Sequence, residues 1–96
     1  MQNQLSLRIK KVYFDAIING EKTSEYRQYN DYYHQRFTDA GKFNVLKIYY
    51  NNAYAIIQIK EIGVSPNPLP VKERPEFLAT KMVYELKLGK VYWVNR

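Results

Sequence analysis

A chain of 96 residues with 46% hydrophobic and 25% charged side chains is a single globular domain with one compact core, which excludes a disordered polypeptide and leaves no room for a second unit. The absence of cysteine excludes disulfides and thiolate metal sites, and a single histidine argues against any other metal centre, so no metal and no cofactor is expected in a chain suited to a reducing cytoplasm. Fifteen Lys plus Arg against nine Asp plus Glu give a formal charge of +6 and a pI near 9.5, a balance that favours a polyanionic partner.

The start, Met1-Gln2-Asn3-Gln4, lacks the charged and apolar segments of a signal peptide, and no apolar run reaches membrane-spanning length. A cytoplasmic protein with no membrane partner is the expectation. Leu5, Leu7 and Ile9 then alternate with Ser6, Arg8 and Lys10, the pattern of a half-buried strand with a basic outer face. Over residues 12–19 the period changes, and Tyr13, Phe14, Ile17 and Ile18 fall at helical spacing with Asp15 near the favourable N-terminal end. Gly20 follows as the left-handed stop.

Residues 20–27 read Gly-Glu-Lys-Thr-Ser-Glu-Tyr-Arg, and no other stretch gathers a helix stop, charges of both signs and two hydroxyls so densely. As a strand over residues 23–28, alternation sets Thr23, Glu25 and Arg27 on one face and Ser24, Tyr26 and Gln28 on the other, with Lys22 at the mouth. Such a set grips a small polar ligand or a nucleotide: Arg27 suits bidentate contact with planar acceptors, and Lys22 suits a phosphate or a base carbonyl. The bland alternative is a same-face Glu25–Arg27 ion pair worth under about 1 kcal/mol, with Lys22 beside the helix terminus.

Next, Asn30 or Asp31 caps a short helix that turns Tyr33 and Phe37 inward and leaves Tyr32, His34 and Arg36 toward solvent, with His34 read as a surface residue. A turn containing Gly41 spans residues 38–42. A strand over residues 43–50, a tight Asn51-Asn52 turn and a second strand over residues 53–62 form an antiparallel hairpin with Ala55, Ile57 and Ile59 on the core side. All four prolines fall in residues 63–75, which reads as a loop outside the sheet, and Pro75 opens a short helix. The last strand begins at Val83, with Gly89-Lys90 read as a bulge before Val91-Tyr92-Trp93-Val94. Ten tyrosines, seven of them between Tyr26 and Tyr54, stand among basic residues as stacking partners for single-stranded or extruded nucleotides, or as core filling.

The order strand, helix ending in Gly-x-Lys-Thr, then strand reading x-Glu-x-Arg resembles the ASCH domain of the PUA-like superfamily, carried here by Ile17 to Arg27. The segment Tyr84-Glu85-Leu86-Lys87-Leu88-Gly89-Lys90-Val91 looks like that family's closing strand. The resemblance implies an α+β fold over residues 1–96: a small, mixed, mostly antiparallel PUA-like β-barrel with one principal helix after the first strand and one or two short helices. It also implies a cleft lined by Lys22, Thr23, Glu25 and Arg27 that takes RNA or a nucleotide. On this reading Arg8, Lys10, Arg36 and Lys47 follow the backbone, and Tyr32 joins the binding surface. A second reading is a hydrolase of a modified-nucleoside amide or an RNA phosphodiester, with Lys22 and Glu25 catalytic. One ASCH branch cleaves the acetyl amide of a modified cytidine with the motif lysine and a threonine, and that threonine's position is Glu25 here. A carboxylate between two cations is a weak base, which favours binding over catalysis. A third reading is a phage or mobile-element module that blocks a protein partner.

Overall fold

The computed structural model describes residues 3–37 and 43–96, so the turn expected at residues 38–42 lies outside the described residues. Five strands join one curled, mixed sheet, the half-barrel of a small α+β fold, in the order β1-β3-β4-β5-β2. In chain order they are β1 (Gln4–Arg8), β2 (Ser24–Gln28), β3 (Val45–Tyr50), β4 (Ala53–Pro66) and β5 (Met82–Asn95). Two helices, α1 (Lys11–Ile18) and α2 (Asp31–Phe37), separate the first three. None of the described helices is long and apolar enough to cross a membrane.

The alternating apolar residues do what their period requires. Leu5 and Leu7 of β1, Leu46 and Ile48 of β3, and Ala55, Ile57 and Ile59 of β4 turn into one core, where α1 adds Phe14 and Ile17. Tyr13 is the exception on α1: it is exposed on the helix flank and not in the core. Asp15 is likewise not in the first turn. It lies one turn from Lys11, which it pairs with at 2.7 Å, and its other oxygen accepts from Arg96 at 3.0 Å. Gly20 ends the helix with φ near +78°, where a β-carbon would be strained.

Asn51 takes positive φ at the hairpin turn, and Tyr50 pairs with Ala53 across it as the sequence implies. The bulge expected at Gly89-Lys90 is present, since Gln58, the one residue between Ile57 and Ile59 on β4, faces both Gly89 and Lys90, the two residues between Leu88 and Val91 on β5. Gly89 leaves room there for the Gln58 side chain, whose Oε1 accepts from the Lys90 amide and which a β-carbon at Gly89 would displace.

Residues 63–66 correct the sequence reading. They are not loop but the end of β4, pairing from Gly63 with Glu85 to Pro66 with Met82. The reason is topological. β3 pairs only as far as Gln58, so beyond it β4 has a partner on one side alone, and an edge tolerates proline. The connection from Asn67 to Lys81 then holds two 3-10 helices, Val71–Glu73 and Glu76–Leu78, the second opening after Pro75 as expected but ending at Leu78, short of Lys81.

β1 and β2 are the two ends of the sheet, and side chains close the seam between them. Arg27 Nη2 of β2 donates to the Arg8 carbonyl at 2.9 Å, and Arg36 Nη2 of α2 donates to the Ser6 carbonyl at 3.0 Å. Both carbonyls lie on the edge of β1 that faces away from β3, because Ile9 and its alternates bond to β3 instead. Two guanidinium groups thus stand in for a missing backbone ladder.

Candidate functional site

Beside that seam lies a cleft of about 1060 Å³. Its floor and one wall come from the end of β1, the flank of α1 and the strand β2. The opposite wall is the proline-rich connection, through Pro68, Leu69, Pro75, Phe77 and Leu78. Asn67 builds that wall. Its buried amide donates to the Leu78 and Thr80 carbonyls, both at 3.0 Å, and its oxygen accepts from the Leu69 amide at 2.9 Å. The wall docks on β2 through Gln28, whose side-chain oxygen accepts from the Ala79 amide at 2.9 Å, and through the Tyr29 amide, which donates to Thr80 Oγ1 at 3.1 Å.

Lys22, Glu25 and Arg27 converge in this cleft, as the alternation of β2 requires for the last two. Glu25 is only 5% exposed. A carboxylate buried to that degree needs charged or hydrogen-bonding partners, and it has three. Arg27 Nη2 approaches Oε2 at 2.9 Å, while Oε1 accepts from the Tyr26 amide at 3.1 Å and lies 3.7 Å from Lys22 Nζ. Arg27 is engaged at both terminal nitrogens, since Nη2 also donates to the Arg8 carbonyl and Nη1 donates to the Tyr33 hydroxyl at 3.1 Å. Burial works against the Arg27 charge, but the Glu25 carboxylate and the Tyr33 hydroxyl outweigh it and hold its pKa above the ordinary value.

Lys22 differs. Its ammonium makes no hydrogen bond among the described residues and sits between aromatic rings, 5.0 Å from the centre of Tyr26 and 5.6 Å from that of Tyr13. Three N–H donors therefore remain for a ligand in a place already arranged for a cation. Tyr26 lines the cleft although alternation sets it opposite Glu25, and its hydroxyl is held on the far side by Glu85 at 3.4 Å. Burial and the Glu85 charge both push the Tyr26 phenol upward, so it stays protonated.

The remaining expected site residues divide. Arg8 and Lys10 line the cleft at its rim, where Lys10 Nζ stands 4.5 Å over the Phe77 ring. Thr23 does not line it: the residue is exposed just before β2, and its carbonyl accepts from the Leu88 amide. Tyr32 and Arg36 also lie outside the lining and face each other, with Arg36 Nη1 donating to the Tyr32 hydroxyl at 3.4 Å. Lys47 is on the opposite side of the sheet from Leu46 and Ile48, outside the cleft. His34 is not a plain surface residue, because its Nδ1 lies 2.5 Å from the Tyr84 hydroxyl and its ring packs edge-on against Tyr29.

The sequence reading missed the apolar wall and Tyr13, Tyr33 and Tyr50. An Asn-Pro step opening a stretch with two further prolines was the available signal, since an asparagine there bonds the backbone two residues on. In sum the lining holds five cations, Arg8, Lys10, Lys11, Lys22 and Arg27, against the carboxylates Glu25 and Glu73. Among the described residues no group of His, Cys, Asp and Glu could hold a metal ion. The chain matches no protein-family model, no curated protein and no solved structure.

Proposed function

We propose that the cleft binds one nucleotide, free or as the terminal or extruded unit of an RNA, in the manner of a PUA-like, ASCH-type domain. The observation that carries this reading is Lys22, an ammonium with unused donors held between two tyrosine rings on the wall of a cleft. A planar base fits between the tyrosines and the Leu69, Pro75 and Phe77 wall, with Lys22 on a base carbonyl. The rim cations Arg8 and Lys10 then meet the phosphate, and Arg27 and Glu25 fix the floor.

Binding is preferred to catalysis because Glu25, the carboxylate beside Lys22, spends its oxygens on Arg27, Lys22 and a backbone amide and is a poor acceptor for a proton. Calorimetric titration with the four ribonucleoside monophosphates at low salt tests the reading. Lys22→Ala is expected to weaken the preferred nucleotide by roughly tenfold to a hundredfold, the worth of a hydrogen bond from a charged donor. If no nucleotide binds, or if Lys22→Ala binds as well as wild type, the reading fails. Turnover of a modified nucleoside or an RNA that disappears in Lys22→Ala, with the fold intact, establishes the hydrolase in its place.

A further inference from the structure

On the side of the sheet away from the core, the register assembles two rows of side chains. Ser6 of β1 pairs with Lys47 of β3, Lys47 with Ile56 of β4, and Ile56 with Trp93 of β5. In the next row Arg8 pairs with Tyr49, Tyr49 with Tyr54, and Tyr54 with Asn95. Their alternates Leu5, Leu7, Ile48, Ala55 and Val94 all pack into or against the core, so the two rows share the outer face. Trp93 is 59% exposed, and Tyr49 is exposed too.

A second bulge is what turns Trp93 outward. Ile56 pairs with Trp93 but Ile57 with Val91, so Tyr92 is an extra residue. Had regular pairing continued from Ile57 and Val91, Tyr92 would stand opposite Ile56 and Trp93 opposite Ala55, with the indole turned to the other face. The electrostatics have one sign. The segments 4–8, 45–50, 53–60 and 91–95 that form this face contain no Asp or Glu, and they hold Lys47 and Lys60, with Arg8 at the border that the face shares with the cleft rim. Lys47 Nζ is held 4.8 Å over the Tyr54 ring, and the backbone of Lys47 lies two strand spacings, about 10 Å, from that of Trp93.

We infer that this outer face is a second site, a stacking platform for single-stranded nucleic acid, separate from the cleft and independent of what the cleft binds. Exposed rings interleaved with cations suit bases that stack and phosphates that pair, and stacking needs no particular sequence. The core of a protein interface would be depleted of charge, whereas Lys47 stands within the first row, between Ser6 and Ile56.

Fluorescein-labelled octauridylate, followed by anisotropy and by the emission of Trp93, the one tryptophan of the chain, reads the platform directly. The expected result is saturable quenching whose affinity falls steeply between about 50 and 200 mM salt. Trp93→Ala, with an unchanged circular dichroism spectrum, should weaken anisotropy-detected binding about tenfold or more, Trp93→Phe should restore most of it, and Lys47→Glu should weaken it with Trp93 still present. Saturating uridine monophosphate should leave the quenching in place, which separates this site from the cleft even if the cleft binds nothing. The inference is overturned if Trp93→Ala binds octauridylate like wild type or if uridine monophosphate abolishes the quenching. It is equally overturned if Trp93 emission follows protein concentration and not RNA, with a dimer in sedimentation, because a second copy then covers the face.

Discussion

Glu25 and Lys22 are three residues apart and touch the same ligand space, yet their structural debts differ. Glu25 is buried and holds Arg27 at 2.9 Å, so Glu25→Gln leaves a largely buried guanidinium without its counter-charge. Removing one partner of such a pair costs about 3 kcal/mol, which should appear as a lower urea midpoint at unchanged slope. Lys22 stands 3.7 Å from the same carboxylate and gives it no hydrogen bond, so Lys22→Ala should cost under about 1 kcal/mol. Equal losses from the two variants would make Lys22 a structural residue and remove the basis of the nucleotide reading. At the surface the hydrogen bond from Lys11, together with the Lys11 and Arg96 charges, outweighs the opposing effect of desolvation and holds the Asp15 carboxyl below its ordinary 3.8. A carboxyl depressed by folding stabilises the native state above its unfolded pKa and loses that contribution as pH falls through the folded one. Asp15→Asn should therefore melt earlier than wild type near pH 6, and the two melting curves should merge in acid below the folded pKa. A gap that persists there would mean that packing, and not the ion pairs to Lys11 and Arg96, accounts for the difference.

Among the elements, those whose signals are local were legible in the sequence. The Asn51-Asn52 turn, the Gly20 stop and the Gly89-Lys90 bulge each depend on backbone conformations or steric demands that one or two residues announce. The connection after Pro66 was not legible in the same way, because what shapes it is a buried amide reaching eleven and thirteen residues ahead, from Asn67 to Leu78 and Thr80. That makes Asn67 the main internal brace of the apolar wall, beside its docking on β2 through Gln28 and Tyr29. Asn67→Ala orphans two carbonyls and the Leu69 amide, and a cost of about 2 kcal/mol is expected. The loss should be local: amides of residues 69–79 should exchange faster by more than those of β3 and β4, and nucleotide affinity should fall with the wall. Uniform acceleration across the sheet would show that Asn67 supports the whole fold and not the wall.

The whole molecule depends on pairings that no short stretch announces. Alternation identified β1, aromatic and β-branched content identified β3, and the Asn51-Asn52 turn led to β4, but β1 and β3 run parallel through a connection containing α1, β2 and α2. Parallel partners have no turn to declare them, and β2 finds β5 only across some sixty residues. Curling of the sheet then brings β1 and β2 to a seam where no ladder forms, and Arg27 and Arg36 supply donors to the Arg8 and Ser6 carbonyls. Arg27 was read from sequence as a ligand contact and Arg36 as a backbone contact; the coordinates give both a bond that holds β1 in place. Arg36→Met keeps the aliphatic stem but removes the donor at 3.0 Å, along with a buried Nε that has no partner, so the net cost should be modest, about 1 kcal/mol. Its location is the sharper expectation. Native-state hydrogen exchange should show the amides of β1 opening at lower free energy while those of the β4–β5 pair follow only the change in global stability. Combined with Arg27→Met, the loss should exceed the sum of the two, because the first removal leaves one guanidinium to hold the edge and the second frees it. Strict additivity, with no selective opening of β1, would mean that the core alone closes the half-barrel and that the two arginines merely lie along its seam.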